Sequence, residues 1–122
     1  MNQAKRLRLA DYLGHMLEAV NRCQAYVHDM DEATFMADQR TQDAVIRTFE
    51  VLGEAANNIR KNHPEFGSTN PNIPLGQAVG MRNVLSHGYF QVDLPAVWAS
   101  IHADLPPLGR ALRSALDVLP TR

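Results

Sequence analysis

The chain has 122 residues, 45% of them apolar and 20% charged, with 12 Lys and Arg against 13 Asp and Glu. That length and composition predict one folded domain over residues 1–122 and exclude a disordered chain. A formal net charge of −1 excludes nucleic-acid binding by bulk charge, so any polyanion contact must be local.

No apolar run approaches the ~18 residues that a membrane span needs. The basic residues near the start, Lys5, Arg6 and Arg8, are not followed by an apolar stretch with a cleavage site, and a cytoplasmic protein is expected. The lone cysteine, Cys23, fits a reducing compartment and reads as core. Histidines at 15, 28, 63, 87 and 102 form neither an HExxH motif nor a Cys/His pairing, so no metal site and no cofactor are expected.

From about Arg6 to Met30, the residues Leu9, Leu13, Met16, Val20, Cys23, Val27 and Met30 alternate at spacings of four and three. This is the seam of a helix packed along a neighbour, and in so short a chain it predicts a bundle. After a connector from Asp31 to about Ala37, a second long helix begins near Asp38 or Thr41, either a competent N-cap. It runs to about Asn62 on the stripe Val45, Phe49, Leu52, Ala56 and Ile59. Gly53 beside Ala55 and Ala56 leaves room there for close approach of another backbone. Glu50 and Glu54, one turn apart, read as a solvated face.

His63-Pro64 stops that helix, since proline disfavours the helical conformation in the residue before it. Glu65 to Ile73 reads as the main loop, and Pro74 opens a third, shorter helix. Asp93 caps a fourth helix with Pro95 just inside it, burying Val97, Trp98, Ile101 and Leu105. Pro106-Pro107 break or kink it, and Leu108 to Leu119 completes a fifth piece. No segment alternates as a strand and none repeats. The expected fold is all-α, an up-and-down bundle of four to five helices.

The third helix carries Met81-Arg82-Asn83-Val84-Leu85-Ser86-His87-Gly88-Tyr89-Phe90. At about 100° per residue, Arg82, Tyr89, Ser86, Asn83 and His87 share one polar arc, with Met81, Val84, Leu85 and Gly88 opposite. Arginine offers a planar fork of donors that fits a phosphate and keeps its charge. Histidine exchanges protons near neutrality. Metal-free RNA cleavage uses both: a base for the 2′-OH and a cation for the charge that develops on phosphorus. One copy supplies a loose pair, and two copies about a two-fold axis would supply two of each. Asn83, one turn from His87, can orient the imidazole or hold a phosphate oxygen. Arg and His at this spacing also occur as two plain solvent-facing groups, and the spacing alone does not decide.

Arg82-Asn83-x3-His87-x-Tyr89 resembles the Arg-x4-His-x-Tyr motif of the HepT-like toxins, the DUF86 group of the HEPN superfamily. The resemblance extends to Tyr12-Leu13, Asp43 to Arg47, Gly53-Glu54-Ala55-Ala56, Pro71-x-Ile73-Pro74 and the tail from Val92-Asp93 through Trp98 to Leu105-Pro106. It implies a helical bundle that dimerises through the motif helix. Arg82 and His87 would be catalytic in a composite endoribonuclease site, metal-independent and acting on tRNA or mRNA, with Asn83 and Ser86 supporting the RNA phosphate. It also implies a type VII toxin–antitoxin partnership with an MntA-like nucleotidyltransferase, as a homodimer or a larger complex with that antitoxin. The antitoxin would neutralise the toxin by AMPylation of Tyr89, placing bulk and negative charge where the RNA phosphate belongs. Many relatives carry a bulky aromatic shortly after the Ile-Pro, where this chain has Leu75 and Gly76. The competing reading is a catalytically silent HEPN binding module that docks a nucleotidyltransferase or a nucleotide.

Overall fold

The computed structural model describes residues 3–83, 85 and 92–119, and every regular element among them is a helix. The order is α1 (Gln3–Tyr26), α2 (Glu32–Met36), α3 (Gln39–Asn62), α4 (Pro64–Thr69), α5 (Leu75–Asn83), α6 (Leu94–Ala103) and α7 (Leu105–Val118). These seven pieces form an all-α bundle. The two additions to the expected four to five are α2 and α4, each built where the sequence reads as a connector.

Both short helices are held by side chains rather than by propensity. Asp31 caps α2 by accepting from the Thr34 N–H at 2.8 Å, and Phe35 is fully buried. Gln42 on α3 then donates its amide to the carbonyls of Phe35 and Met36, at 2.9 and 3.0 Å. Pro64 opens α4 at its first turn, where a missing N–H costs nothing. Phe66 anchors α4, and the Asn70 amide donates back to the Phe66 carbonyl.

The first helix stops at Tyr26, four residues short of the seam's end. Asp29 takes φ 65°, a left-handed conformation that Asp tolerates better than most residues, and the chain turns there. The seam itself packs as its spacing requires: Leu9, Leu13, Met16, Val20, Cys23 and Val27 are all buried. Burial pushes the Cys23 thiol up to about 11, partly offset by its hydrogen bond with Thr48, so it is protonated at neutral pH.

α3 is the central helix, in contact with α1, α2, α4 and α5. It runs antiparallel to α1, since the Asn62 amide donates to the Tyr12 hydroxyl at one end while Arg22 and Tyr26 meet Ala44 and Arg47 at the other. The junction of α3 and α4 is sealed by His63, fully buried, with its ring edge-on to Tyr12 at 6.3 Å. α7 packs against α1, with Val20 beside Gly109 and the Arg113 guanidinium donating to Asn21. Trp98, expected on the buried face of α6, is only half-buried, its ring tilted against those of Phe35 and His102.

The long helices start at the expected caps. Asp38 accepts from the Thr41 N–H, and Asp93 from the Ala96 N–H. Capping hydrogen bonds hold the carboxyls of Asp31 and Asp38 below their ordinary 3.8. A lowered folded-state value contributes stability above the unfolded value and loses it as pH falls through the folded one. Asp38→Ala should therefore lower the thermal midpoint at about pH 7 and lower it less at about pH 2. Equal losses at both would mean that the carboxylate charge contributes nothing.

Candidate active site

α5 brings the motif's arginine onto the bundle. Pro74 precedes the helix, its carbonyl accepting from the Ala78 N–H at 3.0 Å. Leu75 is buried beside Gly67 of α4, and its aliphatic side chain fills that corner. Ala78 and Met81 are buried with it.

Arg82 is half-buried, and its stem lies on α3. The contact is at Gly53: a Cβ added there would collide with the Arg82 Cβ, and would sit 3.4 Å from both the Arg82 Cδ and the Ala78 carbonyl oxygen. The helical projection put Arg82 on a solvent arc opposite Met81. Instead the residues one turn apart, Ala78 and Arg82, form the face that meets α3. Arginine can do this because its aliphatic stem packs like an apolar side chain. The close approach anticipated at Gly53 is therefore made by the candidate catalytic residue itself.

α5 ends at Asn83, and Leu85 lies in a turn whose N–H donates to the Arg82 carbonyl at 3.0 Å. A single uninterrupted helix through the motif, on which the polar arc was drawn, is not seen at Leu85. Ser86, His87 and Tyr89, and the side chain of Asn83, lie outside the described residues. The structure thus places one of the five expected site residues.

Glu50 and Glu54 are exposed on α3, with the Glu50 carboxylate 3.9 Å from the Arg47 guanidinium. They do not converge on a shared proton or ligand. Among the described residues, no three His, Cys, Asp or Glu side chains gather closely enough to hold a metal ion. None of the described helices is long and apolar enough to cross a membrane. The residue that sequence reasoning undervalued is Gly53, whose signal was a glycine inside a long helix, a costly choice unless the missing side chain is used.

Comparison with known proteins finds relatives over most of the chain. Residues 16–115 match the sequence profile of a family described as Ribonuclease HepT-like. The chain is 36% identical over 98 residues to a protein of Thermococcus cleftensis named Probable ribonuclease HepT, covering 80% of this chain and 86% of that one. A protein of Methanocaldococcus jannaschii, provisionally named an RNase, is 36% identical over 111 residues, covering 91% of this chain and 90% of its own length. A second protein of that organism combines the names gamma-glutamylcyclotransferase and, provisionally, RNase. It is 34% identical over 108 residues, which cover 88% of this chain and 47% of that protein. No solved structure matches the chain.

Proposed function

This chain belongs to the HepT-like ribonuclease family, and on that premise we propose that it is a metal-independent endoribonuclease toxin with Arg82 and His87 as its catalytic pair. The observation that carries the reading is the intact Arg82-Asn83-x3-His87-x-Tyr89 set in a chain of this family.

In the proposed reaction the imidazole of His87 accepts the proton of an RNA 2′-OH. The 2′-oxygen then attacks the adjacent phosphorus and the bond to the 5′-oxygen breaks. Arg82 stabilises the negative charge that accumulates on the phosphoryl oxygens. A second copy across a two-fold axis would supply the imidazolium that protonates the leaving 5′-oxygen. Asn83 and Ser86 orient the phosphate. The products are a 2′,3′-cyclic phosphate and a 5′-hydroxyl.

Control belongs to a cognate MntA-like nucleotidyltransferase in the same cytoplasm. The Tyr89 phenolate attacks the α-phosphorus of ATP, pyrophosphate leaves, and the AMP added beside His87 excludes RNA. Tyr89→Phe removes the acceptor. That variant, incubated with the nucleotidyltransferase and ATP, should stay at its unmodified mass and keep its activity. An AMP adduct on it would move the modification to another residue.

The test of the activity itself is purified, unmodified protein incubated with total RNA in EDTA. Discrete fragments ending in cyclic phosphate support the reading. Fragments that form only after a divalent metal is restored would remove metal independence, and intact RNA under both conditions would remove the nuclease. A second reading, a silent module that docks a nucleotidyltransferase or nucleotide, is favoured by the net charge of −1 and would take over in that last case.

A further inference from the structure

A ribonuclease with a net charge of −1 needs its cations collected where the strand lies, and one seam of the bundle does this. The groove between α1 and α3 holds a cavity of about 230 Å³. Its floor is small and apolar, Ala19, Ala44 and Val51, with the buried Thr48 among them. His15 and Arg22 stand on the α1 wall and Arg47 on the α3 wall. At its end is Tyr26, the one aromatic ring among the exposed large hydrophobics of the described residues, at 39% exposure.

These are members of longer rows. On α1 the basic residues Arg8, His15 and Arg22 recur every seven residues, and on α3 Arg40 and Arg47 do the same. Seven residues are nearly two helical turns, so each row keeps to one face and advances about 10.5 Å per step. Because α1 and α3 are antiparallel, Arg22 and Arg47 meet at the cavity. The two rows then extend in opposite directions, about 30 Å from Arg8 to Arg40, enough for at most about nine stacked nucleotides.

The arginines of the cavity are paired, but loosely. Arg22 meets Glu18 at 3.1 Å with both side chains 61% exposed, and Arg47 meets Glu50 at 3.9 Å with its own side chain 74% exposed. Such exposed pairs contribute little, so a phosphate can replace the carboxylate at small cost. A heteroaromatic base fits the apolar floor beside Tyr26, where stacking is indifferent to sequence.

We infer that the α1–α3 groove is a binding track for single-stranded RNA, with Arg22 and Arg47 on its phosphates and Tyr26 stacked on a base. The inference rests on the ribonuclease reading and assigns that activity a second contact surface. α5 packs on the opposite flank of α3, at Gly53, so Arg82 is about one helix diameter away. Glu50 lies on the arc between, and Glu54, seven residues on from Arg47, ends the basic row of α3 on its C-terminal side.

The test is fluorescence anisotropy of an unstructured oligouridine with the full chain carrying His87→Ala, so that the probe is not consumed. Adding Arg22→Ala and Arg47→Ala together should weaken binding about tenfold or more and lower the salt slope by about 1.4, two single-strand phosphate contacts. Tyr26→Ala should weaken binding without changing that slope. Arg110→Ala, on α7, should change neither. Arg22, Tyr26, Arg47 and Arg110 are exposed, and circular dichroism checks that each variant folds. Binding that ignores Arg22 and Arg47 overturns the track. If those variants instead lose a polyglutamate peptide while RNA binding is unchanged, the groove serves an acidic protein segment and the inference is wrong. Binding to wild type that depends on Arg22 and Arg47, without any cleavage by wild type, would leave the track standing and remove the nuclease.

Discussion

His87→Ala should abolish RNA cleavage, and Arg82→Ala should come close to doing so, with helical content unchanged in both. General acid–base catalysis by one positioned side chain contributes about 10²–10⁴-fold. If two copies of His87 serve one cleft as base and acid, the alanine variant loses both roles at once. A loss at or beyond the upper end of that range is then expected. Arg82→Lys separates charge from geometry: it keeps the cation but not the bidentate fork, so it should recover only a small part of the rate. Growth after induction reports the same chemistry, with arrest by the wild-type chain and none by His87→Ala. Retained cleavage in either alanine variant would remove that residue from the active site.

Gly53→Ala should depress cleavage by about 100-fold while leaving the fold in place. The added Cβ would occupy the volume now held by the Arg82 Cβ, while the Ala78 carbonyl oxygen at 3.4 Å would only be in ordinary contact. The Arg82 Cβ is not the free end of a flexible chain, so α5 must retreat from α3. A displacement of about 1 Å at a catalytic group can cost about 10²-fold in rate. The stability change is smaller because two effects oppose one another. Overpacking costs about 1–3 kcal/mol, while alanine gains up to about 1 kcal/mol over glycine inside a helix. Gly14→Ala is the contrast, since its Cβ would meet nothing within 4 Å. It should raise the thermal midpoint and leave cleavage alone. Full activity in Gly53→Ala would mean that the contact with Gly53 does not position Arg82.

A buried cysteine gives a milder check on the packing. Cys23→Ser exchanges a thiol for a hydroxyl inside the α1 seam, where Thr48 is the side-chain hydrogen-bond partner of the thiol. It should destabilise the bundle by about 1–3 kcal/mol, the usual cost of burying a hydroxyl with incomplete hydrogen bonding. Cleavage at temperatures where the variant is folded should not change.

Local spacing alone was enough to read the helical class, the caps at Asp38 and Asp93, the core stripes of α1 and α3, and the types of residue gathered in the motif. Those features depend on neighbours within a turn or two of one another: periodicity places a face, and a carboxylate finds an N–H three residues on. The remaining features come from packing between helices. α2 and α4 form because Phe35 and Phe66 are buried and because Gln42 reaches back across seven residues to the Phe35 carbonyl. Arg82 lies on the packing face of α5 because Gly53, 29 positions earlier, leaves a gap of the right size in α3. The basic rows of α1 and α3 become one seam only when the helices pack antiparallel. Which two faces meet, and in what register, is set by the fit of side chains between helices, and no spacing within one helix encodes it.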